Sequence, residues 1–389
     1  MLRYLDRVAK QLESLQEDIK GMNDRKLAAT SLLPAVSYAI CKHSATTLDS
    51  EGGCAALEDL FPATGGVLTC ETFTIAKMRW PTEEMILLPF ISASPDPSLG
   101  DRLGRVPLHE AAEEGHTEVV RLLIEAQADL EGRCEEGSTA LHSASRRGHV
   151  EVLRVLMEAS IDQNAQDDDG ITALHIAASQ GDGRVVRFLL EADADASLCD
   201  NDSCTALHYA SFENGLAEVA RLLLEARADP DALDTYGRTA LHLAADNNLE
   251  EVAGVLLAAT AAKNAADGSG RTALHTASMA GSEGLARLLL EAGVGTRVAD
   301  DHGCTALHLA SAGGHAGTVR LLLQAEARPD AQDSSGRTAL HCCTSSSAER
   351  SQQLEVARLL LEAGADDTVA DNTGRMPLDY ADFPELARF

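Results

Sequence analysis

Thr239-Ala240-Leu241-His242 is one of seven identical tetrapeptides in this chain of 389 residues. The same four letters stand at 139–142, 172–175, 205–208, 272–275, 305–308 and 338–341. Val106-Pro107-Leu108-His109 precedes the set, and Met376-Pro377-Leu378-Asp379 follows it. The histidines His109, His142, His175, His208, His242, His275, His308 and His341 are 33 residues apart, except for one step of 34 between His208 and His242. A fixed period of this size marks a stacked repeat, in which one unit cannot hide its own apolar face and its neighbours hide it instead.

The letters on either side of the tetrapeptide show what the unit is made of. Ahead of it lies a turn: Asp101-Arg102-Leu103-Gly104, Asp234-Thr235-Tyr236-Gly237 or Asp333-Ser334-Ser335-Gly336. Aspartate bonds nearby backbone amides and glycine takes positive φ, so each stretch is a turn tip. The threonine that follows suits a helix N-cap, where its hydroxyl can accept a bond from an orphan amide. Alanine or proline then opens the first helix, where a missing amide hydrogen costs little. A second helix follows, read as Val119-Val120-Arg121-Leu122-Leu123, Val185-Val186-Arg187-Phe188-Leu189, Val219-Ala220-Arg221-Leu222-Leu223 and Val356-Ala357-Arg358-Leu359-Leu360. Its apolar residues spread round most of the circumference, so it must be covered on several sides.

These residues resemble the ankyrin repeat family, whose unit carries a Thr-Pro-Leu-His turn and two helices. The resemblance covers residues 99–389 in about nine units, the last truncated. It implies an all-α fold, an ankyrin-repeat solenoid with β-turn tips. It also implies that the eight repeated histidines are structural, bonding within the turn and to the neighbouring unit. A ladder of imidazoles one repeat apart cannot converge on one ion at the ~2.0–2.3 Å that zinc requires.

The family usually places glycine just after the second helix, where a left-handed residue ends it. Here only Gly293 and Gly364 do so; Gln127, Ser160, Asp193, Arg227, Thr260 and Glu326 hold the other positions. Two units are longer. One carries an extra residue near Phe212-Glu213-Asn214, the other five extra within Ser345 to Gln353, and such insertions are expected in loops on one face.

Ahead of the array, residues 2–26 read as one amphipathic helix. Leu5, Leu12 and Ile19 are seven apart, as are Val8, Leu15 and Met22. This is the pattern of a short coiled-coil seam. Two readings stay open: a dimerisation helix making a homodimer, or a helix lying on the N-terminal region or the first repeat. Residues 27–98 hold turn signals at Gly52-Gly53 and Gly65-Gly66, a strand-like stretch over 67–80 and a proline-containing linker around Pro95 and Pro97; their fold is not legible.

Formal net charge is −29. Residues 1–98 hold 9 Lys+Arg against 13 Asp+Glu, and the remainder 23 against 48, so the acidity belongs to the array. A surface of that sign repels phosphate backbones and favours basic or mixed-charge proteins, so direct nucleic-acid binding is not expected. Nine cysteines without a Cys-x-x-Cys pair point away from a zinc or dithiol site and towards a reducing compartment. No apolar run reaches the ~20 residues of a membrane span, and no signal-peptide core is evident. The expected location is the cytoplasm or the nucleus.

No catalytic or cofactor motif stands out. His109-Glu110-Ala111-Ala112-Glu113 lacks the second histidine of a zinc-protease helix, and Asp167-Asp168-Asp169 lacks calcium-loop spacing. The informative residues are those the repeat leaves free. In ankyrin arrays partners contact the concave face of the first helices and the turn tips. The resemblance places Glu113 and Glu114, Arg146 and Arg147, Ser179 and Gln180, Phe212 and Glu213, Asp246 and Asn247, and Met279 and Ala280 on the concave face. It places Asp168, Asp169, Tyr236 and His302 at the tips. Aromatic and arginine side chains are the usual hot spots, which ranks Phe212, Tyr236, Arg146 and Arg147 first. The expected function is a non-enzymatic scaffold or adaptor. The alternative is a transcription coregulator acting through protein partners, with the N-terminal helix for dimerisation or docking; a ubiquitin-ligase recognition subunit has no motif in its favour.

Overall fold

The computed structural model describes residues 103–381 apart from 213–216, 260–261 and 347. The helix expected over 2–26 and the region 27–98 lie outside the described residues. Among the described residues there are sixteen α-helices, one 3-10 helix and no strand beyond two isolated bridges, Cys199 with Thr205 and Ala299 with Thr305. The chain divides into two compact units after Ala173.

In the first unit, α1 (Pro107–Glu114) and α2 (Thr117–Glu125) form one hairpin, and α3 (Ala140–Arg147) and α4 (Val150–Glu158) the next. The inner helices α1 and α3 pack side by side, as do the outer helices α2 and α4. The second unit opens with α5 (Ala173–Gln180) and α6 (Gly183–Glu191), then α7 (Ala206–Tyr209) and α8 (Ala217–Glu225). It continues with α9 (Ala240–Asp246), α10 (Glu250–Ala259), α11 (Ala273–Ala280) and α12 (Glu283–Glu291). Then come α13 (Ala306–Ala312), α14 (Ala316–Gln324), α15 (Ala339–Thr344), α16 (Arg350–Glu362) and the 3-10 turn Pro377–Tyr380. The inner helices α9, α11, α13 and α15 stack in series, and the outer helices α6 to α16 form a second layer behind them.

The repeated letters explain the packing. Leu108, Leu141, Leu207 and Leu274, from the tetrapeptides, are fully buried, as are Ala111, Ala144, Ala210 and Ala277 one turn later. The small alanines let neighbouring inner helices come close enough for the leucines to interlock. On the outer layer Val119, Val120 and Leu123 are buried in the first unit, and Val252, Ala253 and Leu256 in the second. Replacing one such leucine by alanine leaves a cavity and costs about 2–5 kcal/mol.

Each inner helix starts the same way. The Thr239 amide donates to Nδ1 of His242 at 3.1 Å, and the Thr239 hydroxyl lies 2.9 Å from the same nitrogen. A nitrogen that accepts an amide hydrogen carries no proton, so the hydroxyl donates to it and the ring proton sits on Nε2. That proton goes to the Arg271 carbonyl of the next repeat at 2.9 Å. The pattern recurs with His109 on Ser138, His142 on Ile171, His208 on Arg238 and His341 on Arg375. Where Asp379 replaces histidine, its carboxylate still accepts the Met376 amide at 2.8 Å, but it has no second nitrogen to reach onward.

The two insertions are handled differently. Where the extra residue falls near Phe212, α7 is a single turn ending at Tyr209. The five-residue insertion goes partly into helix and not wholly into a loop. α16 is 13 residues long against 9 for α14, and its first turn includes Arg350 to Gln353. Gln353 is buried, its amide donates to Ser346 O at 2.7 Å, and its own carbonyl lies 3.2 Å from Cys343 Sγ. The inserted residues thus cover the end of α15.

Candidate partner-binding surface

The turn tips are built by aspartate. Asp234 Oδ1 accepts the amides of Tyr236 and Arg238 at 2.9 and 2.8 Å, and Gly237 closes the turn at φ 71°. Successive tips are tied by single backbone bonds: Thr235 N to Asp202 O, Gly268 N to Tyr236 O and Asp301 N to Ser269 O in the second unit, and Asp168 N to Glu136 O in the first. The backbone polar groups of the tips are therefore used internally, and what remains outward is side chain.

In the first unit, Glu113 is held between two guanidinium groups. Arg105 Nη2 lies 2.5 Å from Oε2, and Arg147 Nη2 lies 2.9 Å from Oε1. Burial alone would raise the Glu113 carboxyl; the Arg147 hydrogen bond and Arg105 outweigh it and hold the carboxyl below its ordinary value. Two of the sequence candidates, Glu113 and Arg147, are thus each other's partner. Arg146 stands exposed beside them, and Asp168 and Asp169 are exposed at a tip.

In the second unit, Phe212 is 55% exposed, Tyr236 68% and Met279 48%. Gln180, Ala280, Asn247 and His302 are exposed, and Ser179 is half-buried. The Asn247 amide donates to Leu243 O at 3.0 Å, so it caps its own helix. Glu213 lies outside the described residues.

The structure brings Tyr236 and Asp246 together, which the sequence had placed on different features. They line a cleft of about 510 Å³ at two turn tips, together with His242, Arg238 and Arg271. The Arg238 guanidinium lies over the Tyr236 ring at 5.0 Å and pairs with Asp234 at 2.8 Å. Burial dominates at Asp246 and raises its carboxyl, with Arg238 working against it. Arg238, Arg271 and the exposed Leu233 were not sequence candidates, because arginine before threonine read as part of the turn. The one available signal was its recurrence in Asp234-Thr235-Tyr236-Gly237-Arg238, Asp267-Gly268-Ser269-Gly270-Arg271 and Asp333-Ser334-Ser335-Gly336-Arg337.

Among the described residues, no group of three or more His, Cys, Asp or Glu side chains is placed to hold a metal ion. Each repeat histidine has its Nε2 on a carbonyl. Burial pushes the thiols of Cys342 and Cys343 up to about 12, and those of Cys204 and Cys304 to about 11. Those four stay protonated near neutrality and are poor nucleophiles. No helix among the described residues is long and apolar enough to cross a membrane.

Three comparisons bear on this geometry. The sequence matches the family model for ankyrin repeats (3 copies) over residues 83–167, 160–234, 211–300 and 279–371. No curated protein matches it. Among solved structures, the chain is similar to the crystal structure of the ankyrin repeat domain of Bcl-3, described as a unique member of the IkappaB protein family. Identity is 32% with a TM-score of 0.51, covering 57% of this chain and 98% of that one.

Proposed function

This chain belongs to the ankyrin repeat family, and on that premise we propose that it is a non-enzymatic scaffold or adaptor that holds a partner protein on the inner-helix faces and turn tips. Ankyrin repeats mediate protein–protein interaction. The observation that carries the reading is the exposure of Phe212, Tyr236 and Met279 on a framework whose tips and helix starts satisfy their own polar groups. Large apolar side chains left in water beside arginine are the usual anchors of an interface. The partner is a protein of basic or mixed charge, because 48 acidic residues against 23 basic ones in residues 99–389 attract positive surfaces. No cofactor enters this function.

The test is affinity capture by the full chain with identification of bound proteins, repeated with Phe212→Ala, Tyr236→Ala and the Arg146→Ala/Arg147→Ala pair. Loss of a specific partner supports the reading; retention of every partner by all of the variants sinks the chosen surface. Glu113, Glu114, Asp168 and Asp169 in the first unit, and Asp246, Asn247 and His302 in the second, are the polar candidates of the same proposal.

A second reading, transcription coregulation through protein partners, has the likeness to an IkappaB-family member in its favour. In that reading residues 2–26 dimerise or dock, and the chain works in the nucleus as well as the cytoplasm. Exclusion of a tagged chain from nuclei removes it.

A further inference from the structure

Arg105, Arg238, Arg271, Arg337 and Arg375 occupy one register of the repeat, and Arg238, Arg271 and Arg337 differ in how they meet the aspartate of their own turn. Arg238 and Arg337 close on the aspartate of their own turn: Nε donates to Asp234 and to Asp333 at 2.9 Å, and Nη2 lies 2.8 Å away in both. Arg271 is held more loosely: its Nε ion-pairs with Asp267 Oδ2 at 3.5 Å and is buried without a hydrogen-bond partner. Its guanidinium forms part of the wall of the cleft beside Tyr236.

Across the same cleft stands a carboxylate in the converse state. Asp246 is 42% exposed, and its nearest cation, Arg238 Nη1, is 3.6 Å away, outside hydrogen-bond distance. No hydrogen bond reaches the Asp246 carboxylate among the described residues. Both groups are ion-paired, Arg271 with Asp267 and Asp246 with Arg238, yet no hydrogen bond closes either pair, and a phenol ring 68% exposed lines the same cleft. An incoming carboxylate would meet Asp246, and an incoming ammonium or guanidinium would meet Arg271 and Arg238. Like charges brought together in a confined site are disfavoured. A neutral group carrying both an acceptor oxygen and donor hydrogens meets neither penalty, and a primary carboxamide is the side-chain group of that kind.

We propose that the cleft between the 234–238 and 267–271 turns receives the carboxamide of an asparagine or glutamine on the partner. Its oxygen accepts from Arg271, its amino group donates to Asp246, and its plane lies against Tyr236. This rests on the scaffold reading and specifies what one of its pockets recognises.

The experiment titrates the full chain with capped pentapeptides, alanine at four positions and glutamine, glutamate, arginine or alanine at the centre. Binding is read from the Arg Nε–H resonances, with the Arg271 signal assigned by Arg271→Lys. The glutamine peptide is expected to bind at least about tenfold tighter than the alanine peptide, the worth of a single hydrogen bond to a charged group. Asp246→Ala and Arg271→Ala should each remove that preference; Asp246 sits at an exposed helix end, so its variant tests the cleft even if the arginine variant unfolds. Equal binding of the glutamine and alanine peptides overturns the proposal. So does tightest binding of the glutamate peptide, strengthened by Asp246→Ala, or of the arginine peptide, strengthened by Arg271→Ala. If the peptides fail while partner capture still depends on Phe212 and Tyr236, the carboxamide site falls and the scaffold reading stands. If capture ignores those residues, the scaffold surface falls and the titration still decides the cleft.

Discussion

Nε2 of His149 donates to the main-chain carbonyl of Glu113 at 2.9 Å, and its ring lies where a side chain on Gly115 would have to be. His315 repeats this with Met279 O at 3.1 Å and with Gly281. These imidazoles link the start of one outer helix to the end of the preceding inner helix, a second tie between repeats beside the tetrapeptide histidines. A Cβ at Gly115 would lie 2.6 Å from the imidazole, at a φ of 78°. Gly115→Ala is therefore expected to destabilise the chain by about 1–3 kcal/mol through strain and contact together. Urea unfolding measures it; an unchanged midpoint contradicts this account of the glycine.

The tetrapeptide histidines predict a pH dependence. Burial holds the imidazoles of His142, His208, His242, His275 and His308 below the ordinary value of 6.5, with a backbone carbonyl pulling the other way in each. The unfolded chain then binds more protons than the folded one between the two values, so stability rises with pH across that window. It should be fully present above about 6.5 and fall as pH drops through the folded values. Asp246, raised by burial, acts in the opposite direction near the carboxylate range and is one group against five. Thermal midpoints at pH 7.5, 6 and 5 check the direction; a midpoint that rises on acidification would falsify the neutral-imidazole assignment.

Removing one imidazole should cost more than the loss of one contact. In His242→Ala the Thr239 amide loses its acceptor, while the Arg271 carbonyl loses one donor and keeps the Asp267 amide. One buried amide left unpaired costs about 1–3 kcal/mol, and the tie to the next repeat is lost with it. The expected result is a lower denaturation midpoint with the helices of neighbouring repeats still formed at low denaturant.

Gln127, Ser160, Asp193, Arg227 and Glu326 sit at φ 60°, 66°, 62°, 66° and 59°, where Gly293 and Gly364 stand at 81° and 86°. A side chain in the left-handed region costs up to about 1–2 kcal/mol against glycine. Replacing the five by glycine should raise the thermal midpoint in steps. Conversely, Gly293→Ala should lower it even though a Cβ there meets nothing within 4 Å, because the strain lies in the backbone.

The helices were legible in the letters. Period, turn chemistry and apolar spacing all act within a few residues, so Thr239 to His242 and Val119 to Leu123 carry their own instructions. Five of the six left-handed positions expected after the outer helices were legible for the same reason; Thr260 lies outside the described residues, and Ser203 and Asn248, at φ 61° and 55°, were not foreseen. The 345–353 insertion was not, since its helical part depends on Gln353 being buried against Ser346 and Cys343. Nor could register alone show that Arg147 is taken up by Glu113, a residue 34 positions earlier.

By itself the sequence determined that two-helix units repeat with a buried leucine, because these follow from local hydrogen bonding and periodicity; that the imidazole reaches onward was implied by the family resemblance. Only the tertiary structure decided which exposed groups are free. Arg238 and Arg271 are the same letter in the same register, yet one hydrogen-bonds its aspartate and the other stands 3.5 Å from its own with no hydrogen bond on Nε. That difference arises between neighbouring repeats, where distances of a few ångströms, absent from any reading of the chain in order, settle which charges are already paired.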